Sequence, residues 1–392
     1  MSSISPRSVS AYAQVQATVR ALYSTLLTPE TWLALIHARD FDTVLSLLSK
    51  TVYGPHLRLE RRLLTPRRSE YQIRWHLAKM YEKLIRLTPA PGSDLLTQLW
   101  RLYEVDNLKA TLRGIEAGAS WDQVLHLLAP GEAYFSLTSD DMEAMVRAGA
   151  ISSAIRHIQP TPYYETLIHA LERYEAEQNL FPLEVALDLD YRRGLWESIA
   201  RLKGQDHEEA LELVGTVLDV DNLLWAIRYR VYHHLSKEEI INYTLHLGYR
   251  VHDDDIQAIA AGEDIVAVVQ RVYPEIEALQ QLPKNVNGAG DARRTSTRAL
   301  DRRLGELERI LERHIADLCR ARFRRTPFHI GLPVAYLLLL EYEIIDLTML
   351  IEAKVSGVSI QQVKFILGYA SVASPTARGP ESRRMLTGEG VR

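Results

Sequence analysis

The feature of this sequence that most resembles a catalytic motif is His252, which is followed by three aspartates at positions 253–255. A His-Asp pair such as His252-Asp253 can bind a divalent metal ion, as in metal-dependent phosphohydrolases, and His233 and His234 lie nearby in the sequence. A metal site needs ligands that converge from several elements, whereas aspartates at a helix start interact favourably with the helix dipole. The sequence therefore favours a helix cap here.

Paired carboxylates are a second candidate for chemistry. Glu184 and Asp188 are one helical turn apart, with Asp190 and Tyr191 just beyond, so the two acids could serve acid/base catalysis. No histidine, Gly-rich loop or second carboxylate pair accompanies them, and we expect a structural role at a helix contact. The chain also lacks the GxxxxGK[ST], GxGxxG, GxSxG and HExxH motifs. We therefore predict no catalytic, cofactor-binding or metal-binding residues and no bound cofactor.

Two arginine-rich segments could dock an acidic partner or phospholipid head groups. Such runs are most often solvated helix faces, and, Phe323 apart, aromatic residues are not interleaved here as stacking platforms for nucleic acid. We expect solvated faces and no nucleic-acid binding, and the second segment is the better candidate for docking. The residues are Arg58, Arg61, Arg62, Arg67 and Arg68 in the first segment, and Arg320, Arg322, Arg324 and Arg325 in the second.

Composition indicates a folded protein without a strong overall field. The chain has 392 residues, 47% of them hydrophobic, and a formal net charge of -4. Cys319 is the single cysteine and is expected to be a buried structural thiol in a reducing compartment. The N-terminus lacks the apolar core of a signal peptide, and residues 326–340 are too few to span a bilayer. We expect a cytoplasmic protein with no transmembrane segment of its own.

The elements that position these residues are helices. Apolar residues recur with a three-then-four rhythm, and Thr28, Ser120 and Ser236 are placed to cap the helices that follow them. Alternating strand patterns are absent. The sequence therefore predicts an all-α fold. The clearest apolar stripe consists of Leu304, Leu307, Leu311, Ile315 and Leu318.

Two sets of landmarks recur three times in the same order, which predicts a threefold internal repeat. The opening set is a helical segment with an Ala, a second apolar stretch and a Tyr, namely Tyr53, Tyr163 and Tyr273. The closing set is an acid or amide in an apolar helix, a charged residue six positions on, and a Ser. It reads Asp106-Asn107, Arg113 and Ser120 in copy one, Asp221-Asn222, Arg228 and Ser236 in copy two, and Ile345-Asp346, Glu352 and Ser359 in copy three.

Asn107, Arg113, Asn222 and Arg228 have the strongest claim to a shared role. Six positions turn about 600° around a helix, so each Asn and its Arg lie on different faces. We expect each Asn to satisfy a backbone group at a helix contact and each Arg to face an acid. The alternative is that they line a surface that grips a partner.

Several segments resemble the C-type stalk component of the archaeal and bacterial V/A-type rotary ATPases, whose eukaryotic counterpart is the d-type component of the vacuolar ATPase. They are residues 102–114 (LYEVDNLKATLRG), residues 181–196 (FPLEVALDLDYRRGLW) and the opening positions Tyr12, Val15, Val19, Leu22, Leu26 and Leu27. The resemblance covers roughly residues 10–370, including the threefold repeat. The departures are a polar insertion at 283–297, a long tail, and loss of the Asn/Arg pair in copy three.

The resemblance implies a funnel-like, non-catalytic central-stalk subunit made of three similar helical lobes. Such subunits receive the foot of the central shaft and sit on the membrane proteolipid ring, so that torque passes through them during proton or sodium transport. The implied protein is peripheral on the cytoplasmic face of the membrane, with one copy per complex. The alternatives are a stand-alone α-helical protein-binding scaffold and a helical metal-dependent hydrolase.

The repeat also predicts domain boundaries. We expect an N-terminal helix in residues 1–27 and three lobes at 28–135, 136–249 and 250–370. The third lobe contains a mobile loop, 283–297, and residues 371–392 form a disordered tail.

Overall fold

The computed structural model describes residues 6–58, 64–282, 297–325 and 328–367. These residues form α helices and short 3-10 or π turns and contain no β strand, which confirms the all-α prediction. The predicted tail 371–392 and the loop 283–297, except its last residue, lie outside the described residues.

The helices alternate between long ones that carry the architecture and short ones that connect them. The first nine are α1 (Pro6–Tyr23), α2 (Pro29–His37), α3 (Phe41–Leu48), α4 (Pro66–Leu87), α5 (Gly92–Glu116), α6 (Trp121–Leu125), α7 (Ser139–Ala148), α8 (Ile151–His157) and α9 (Tyr163–Glu177). The remainder are α10 (Phe181–Arg201), α11 (Gln205–Ala210), α12 (Thr216–Val231), α13 (Lys237–Asn242), α14 (Asp253–Ala261), α15 (Ile265–Val272), α16 (Thr297–Arg322), α17 (Gly331–Val355) and α18 (Ile360–Ile366). A π-helical turn, Leu211–Gly215, joins α11 to α12.

Local capping signals explain where the short helices begin. Ser120, Ser236 and Ser359 each form a capping box with the residue three positions on, at the starts of α6, α13 and α18. In each box the two residues satisfy backbone donors that the first helical turn leaves without a partner. Thr28 caps α2 by accepting from the amide of Thr31 with its side chain. The predicted helix starts are confirmed.

The long helices pack in a cyclic order. Helix α5 packs against α10, α12 packs against α16, and α17 packs against α4, so the last contact returns to the N-terminal part of the chain. Helix α1 also lies against α17. The buried apolar side chains of these helices form one continuous core. The similarity of the three lobes stays a prediction.

The N-terminal ends of α5, α11 and α17 meet at what we call the convergent end. Asp206 accepts from the Tyr12 hydroxyl at 3.0 Å and from the Ile330 amide at 2.8 Å. A Cβ at Gly92 would lie 3.0 Å from the side chain of Ile330, so glycine permits this close approach. The long helices are therefore fixed to one another at this end.

Candidate functional site

Asn107 and Asn222 make the same pair of hydrogen bonds in two parts of the molecule. The Asn107 side chain donates to the Ala129 carbonyl oxygen at 3.1 Å and accepts from the Ala129 amide at 2.6 Å. Asn222 does the same with Leu245, at 2.8 Å in both directions. Both asparagines are buried. Each therefore ties the segment after a short helix back to a long helix, which is the packing role that the sequence predicted.

Arg113 and Arg228 form ion pairs across helix junctions. Arg113 Nε lies 2.5 Å from Glu184 Oε1, which links α5 to α10. Arg228 pairs with Glu308, which links α12 to α16. The prediction that each arginine faces an acid is confirmed. Because both arginine side chains are about half exposed, at 61% and 46%, the pairs add little free energy of folding.

Asp346 and Glu352 occupy the corresponding positions on α17. Asp346 is buried, as the two asparagines are, and Glu352 is exposed. On α4, which packs against α17, burial and then Glu352 raise the pKa of Glu70, while Arg74 and Arg67 lower it. In place of the exposed Arg–Glu pair of the other two helix junctions, the α17–α4 junction has two acids, Glu352 and Glu70, with Arg67 and Arg74 near them.

A buried carboxylate lies three residues before each of these Asn or Asp positions, a feature that sequence reasoning missed. On α5, Glu104 Oε1 accepts from the amides of Ser136 and Leu137, at 2.5 and 2.7 Å. Its other oxygen accepts from the Tyr163 hydroxyl at 2.6 Å. One carboxylate therefore fixes both the entry to α7 and the start of α9.

Asp219 makes the equivalent contacts on α12. It accepts from the amides of Tyr249 and Arg250, at 2.8 and 2.6 Å, and from the Tyr273 hydroxyl at 3.3 Å. Burial raises the pKa of Asp219 and of Glu104, and the hydrogen bonds offset only part of that effect. Backbone amides and a tyrosine thus supply the partners that a carboxylate needs in the interior.

Glu343 on α17 completes the series. It accepts from the Leu27 amide and the Tyr53 hydroxyl, each at 2.8 Å. Burial raises its pKa to about 7. We call Glu104, Asp219 and Glu343 the junction carboxylates. Their tyrosine partners are the three tyrosines that end the opening landmarks, namely Tyr163, Tyr273 and Tyr53. The bond between Glu343 and Tyr53 connects α17 to the N-terminal part of the chain.

We give the name central depression to the partly exposed surface around Glu341 of α17, which Tyr103 of α5 contacts and near which Asp221 of α12 lies. Glu341 accepts from the hydroxyls of Tyr81 and Tyr103, at 2.7 and 3.2 Å. Burial raises the pKa of Glu341 to about 7, the two hydrogen bonds lower it, and nearby Asp221 raises it. Glu341, Tyr103 and Tyr342 nevertheless keep partial contact with solvent. Groups surrounded by protein yet still wetted are typical of the bottom of a concave surface.

The helices at the central depression carry different side chains. Helix α5 carries the charged residues Asp106, Lys109 and Arg113 at helical spacing, of which Lys109 is mostly buried. Helix α17 presents Ile345 and Met349, which are 44% and 39% exposed although both are apolar. A partner seated here would therefore meet a polar wall on one side and an apolar wall on the other.

The paired-carboxylate candidate resolves into ion pairs. Glu184 binds Arg113, and Asp188 lies 2.8 Å from the Lys109 ammonium. Burial raises the pKa of Asp190, and Tyr191 is buried beside these acids. The predicted structural role at a helix contact is confirmed for Glu184 and Asp188, because each acid joins α10 to α5.

The His252 motif caps a helix, as the sequence favoured. The His252 amide donates to Asp255 at 3.1 Å at the start of α14, and Asp255 also pairs with Arg271 at 2.8 Å. His233 packs against the ring of Phe181 on α10. No group of three His, Cys, Asp or Glu side chains in the described parts of the chain could hold a metal ion.

The second arginine-rich segment divides into buried and exposed members. Arg322 is fully buried, with its Nε 2.7 Å from Glu209 and its Nη2 2.5 Å from Glu212. The expectation of a solvated face is wrong for Arg322, because two acids, one on α11 and one on the π-helical turn after it, compensate its charge inside the protein. Arg324 and Arg325 are exposed.

The first arginine-rich segment is only partly described. Arg67 and Arg68 lie exposed in the first turn of α4, as expected of a solvated face, and Arg58 borders a cleft beside Trp75. Arg61 and Arg62 lie outside the described residues. Cys319 is buried, and burial raises the pKa of its thiol to about 12, which agrees with the predicted structural thiol. Every helix in the described ranges is too short or too polar to cross a lipid bilayer.

Comparison with known proteins places this architecture in a family. Residues 15–364 match the family model described as ATP synthase (C/AC39) subunit. The C-type component of the A-type ATP synthase of Methanocaldococcus jannaschii is 22% identical over 363 residues, which cover 91% of this chain and 86% of that protein. The protein of the same name from Methanosarcina barkeri is 22% identical over 90% of this chain and 91% of its own length. In Methanosarcina mazei the identity is 26% over 67% of this chain and 71% of that protein. The chain therefore belongs to the C/AC39 family of ATP synthase subunits.

Proposed function

We propose that this chain is the non-catalytic central-stalk subunit that couples the rotating shaft of a V/A-type ATPase to the membrane proteolipid ring. Its relatives are named as the C-type components of A-type ATP synthases, and the match covers most of both chains. The observation that carries the coupling role is the closed order of the junction carboxylates: Glu104 binds Tyr163, Asp219 binds Tyr273, and Glu343 binds Tyr53 near the N-terminus.

A torque coupler must resist shear between its parts. Three junctions in a closed order share such a load, whereas an open array of helices would bend at its weakest contact. Each junction combines a buried carboxylate with backbone amide donors, and hydrogen bonds to a charged acceptor are about twice as strong as neutral ones. The convergent end fixes the same helices to one another through Asp206. These features support a stiff body whose hollow side receives one partner.

In this proposal the central depression holds the foot of the shaft, and the convergent end faces the ring. The three lobes predicted at 28–135, 136–249 and 250–370 then surround one axis, with one copy per complex. The protein is peripheral at the cytoplasmic face of the membrane, and nucleotide hydrolysis or synthesis takes place in other chains of the complex.

The apolar wall of the central depression provides the test. We expect the double variant Ile345→Asp/Met349→Asp to lose the shaft subunits when the tagged protein is purified from its native membranes in mild detergent. The reason is that two charges would have to be buried without partners in the docked state. Circular dichroism and thermal melting should remain close to those of the wild type, since both side chains already contact water.

Ile360→Asp is the matched control, because Ile360 is 39% exposed, as Met349 is, but belongs to α18 and not to α17. This control should retain the shaft. Wild-type recovery of shaft subunits by the double variant would show that the depression is not the docking surface. Recovery of the wild-type protein alone, from the soluble fraction, would favour a free helical scaffold instead.

A further inference from the structure

A cleft of about 460 Å³ lies between the C-terminal ends of α1 and α16. Arg20 and Tyr23 line it from α1, Arg320 lines it from α16, and Phe323 and Arg324 line it from the turn that follows α16. The rings of Tyr23 and Phe323 stack with centroids 3.8 Å apart and an interplanar angle of 18°. Arg20 Nη1 donates to the Phe323 carbonyl oxygen at 3.2 Å, which holds the two helices together beside the stack. The cleft thus has an aromatic floor and arginines around it.

A second cleft, at the end of α10, serves as an internal comparison. It is lined by Trp196, Ile199 and Ala200, which precede residues 320, 323 and 324 by 124 positions. The same offset separates Asn222 from Asp346. In the α10 cleft these three positions are apolar, so closing such a helix end does not require arginines. The fold therefore does not require Arg320 and Arg324, and these arginines are specific to the α16 cleft.

Acidic groups near the cleft leave an excess of positive charge. Glu212 lies 2.5 Å from Arg322 and 3.4 Å from Arg325, so it already compensates two cations. Arg320 pairs with Asp317 at 3.0 Å, and Asp317 is 57% exposed. Arg20 and Arg324 are both exposed at the cleft. An anion that enters would meet several guanidinium groups and one acid that already has a partner.

We propose that this cleft binds a phosphate group, carried by a phospholipid head group or by a free phosphate ester. Guanidinium groups present planar forks of N–H donors that match phosphate oxygens, often two at a time. The aromatic floor can pack against the carbon skeleton that bears the phosphate. The cleft is close to the convergent end, since α16 ends there and α17 begins nine residues later. This site does not depend on shaft binding, which is proposed to involve Ile345 and Met349 on α17.

Two binding measurements on the purified full-length protein distinguish the sources of phosphate. The first is co-sedimentation with phosphatidylcholine vesicles that contain phosphatidylglycerol, compared with pure phosphatidylcholine vesicles. The second is titration calorimetry with glycerol 3-phosphate. We expect binding in at least one arm, and Arg320→Gln/Arg324→Gln should weaken it about tenfold or more, because charge-assisted hydrogen bonds are lost. Binding only to phosphatidylglycerol vesicles identifies a lipid head group, and binding of the soluble ester identifies a free ligand.

Arg302→Gln/Arg303→Gln removes the same charge from the other end of α16 and should bind as the wild type does. Equal losses in the two double variants would mean a non-specific effect of net charge and would overturn the proposal. Absence of binding in both arms would overturn it too. Thermal melting of each variant establishes that it is folded, and shaft recovery in the pull-down above tests the coupling role separately.

Discussion

The α5–α10 and α12–α16 junctions have the same exposed ion pair but differ in the contact one helical turn further into the protein. Both have an exposed Arg–Glu pair, and both long helices carry a buried junction carboxylate. In the first junction, Asp188 binds Lys109 at 2.8 Å. At the equivalent positions of the second junction stand Glu312 and Leu224, so the acid has kept its place while the lysine has become apolar.

This difference separates the part of the junction that determines its geometry from the part that is free to vary. The junction carboxylates bind backbone amides, whose positions any repeat must reproduce. Lys109 and Asp188 form ion pairs only with side chains, namely each other, Asp106 and Arg192. One member of the pair can therefore be replaced if the protonation of the other changes to match. Glu312 has adapted by holding its proton more tightly: burial, then Glu308 and Asp346, raise its pKa to about 7 against the opposing effects of Arg309 and Arg228.

Removing a junction carboxylate should have the largest effect. Glu104→Ala leaves two backbone amides and a tyrosine hydroxyl without their acceptor, and Asp219→Ala leaves three backbone amides and a tyrosine hydroxyl. We expect each to lower the free energy of unfolding by about 3 kcal/mol. Urea denaturation followed by circular dichroism measures this. The matched controls Tyr163→Phe and Tyr273→Phe remove one donor and should cost only about 1 kcal/mol. A loss below that for either alanine variant would refute the view that the carboxylates determine the junction geometry.

Asn107→Asp and Asn222→Asp should come next, since the carboxylate can still accept from the backbone amide but repels the carbonyl oxygen. We expect about 2 kcal/mol of destabilisation in each variant at neutral pH, from the same denaturation experiment. Asn179→Asp is the control: Asn179 is exposed and its side-chain oxygen accepts from the Phe181 amide, which an aspartate can also do. If the two buried variants are as stable as this control, the paired hydrogen bonds contribute nothing to the fold.

Glu312→Gln tests the deeper turn and should stabilise the protein above neutral pH. The folded-state pKa of Glu312 lies above its ordinary value of 4.5, so folding favours the protonated form, and stability from this group falls as pH rises from about 4.5 to about 7. At pH 8 the variant should be more stable by about 1 kcal/mol after allowance for solvent screening, with no difference near pH 4. Melting temperatures of both proteins across this range give the answer.

Asp188→Asn should change stability at pH 8 much less than Glu312→Gln does. Lys109 would lose one of its two carboxylate partners and keep Asp106 at 3.1 Å. Burial raises the pKa of Asp188 more than Lys109 lowers it, so the neutral side chain removes a small cost of burying the ionised acid. The lost contact with Lys109 offsets that gain, and the net change should stay below about 0.5 kcal/mol. Stabilisation as large as that of Glu312→Gln would mean that the two junctions do not differ as described.

The sequence predicted the helices, their caps and the residues that mark each repeat, because these depend on spacing and on local chemistry. Ser236 with Glu239, for example, forms the capping box that the pattern indicates. The roles of Asn107 and Arg113 also followed from their recurrence. The partners did not: that Arg113 meets Glu184, or that Glu343 meets Tyr53 across 290 positions, depends on how distant helices pack.

The junction carboxylates left a signal that sequence reasoning did not use. An acid occurs three residues before each of Asn107, Asn222 and Asp346, and a tyrosine ends each opening landmark. One acid in a helix is ordinarily a solvated residue, and only its recurrence beside a buried position indicates otherwise. Arg322 was misjudged for the related reason that a run of arginines does not reveal which member points inward. Burial of a charge depends on the acids that other helices supply.

Removal of the exposed Arg–Glu pairs should change the free energy of unfolding least, and it sets a lower reference for the other variants. Arg113→Gln and Arg228→Gln remove ion pairs whose arginines are 61% and 46% exposed, so each should change the free energy of unfolding by less than about 0.5 kcal/mol. The change should shrink further in high salt, because screening already weakens exposed pairs. Urea denaturation at low and high salt measures both quantities. A loss near that of Glu104→Ala would mean that the rim, and not the buried carboxylate, holds the junction together. A small loss together with normal shaft recovery would leave the arginines no role in gripping a partner.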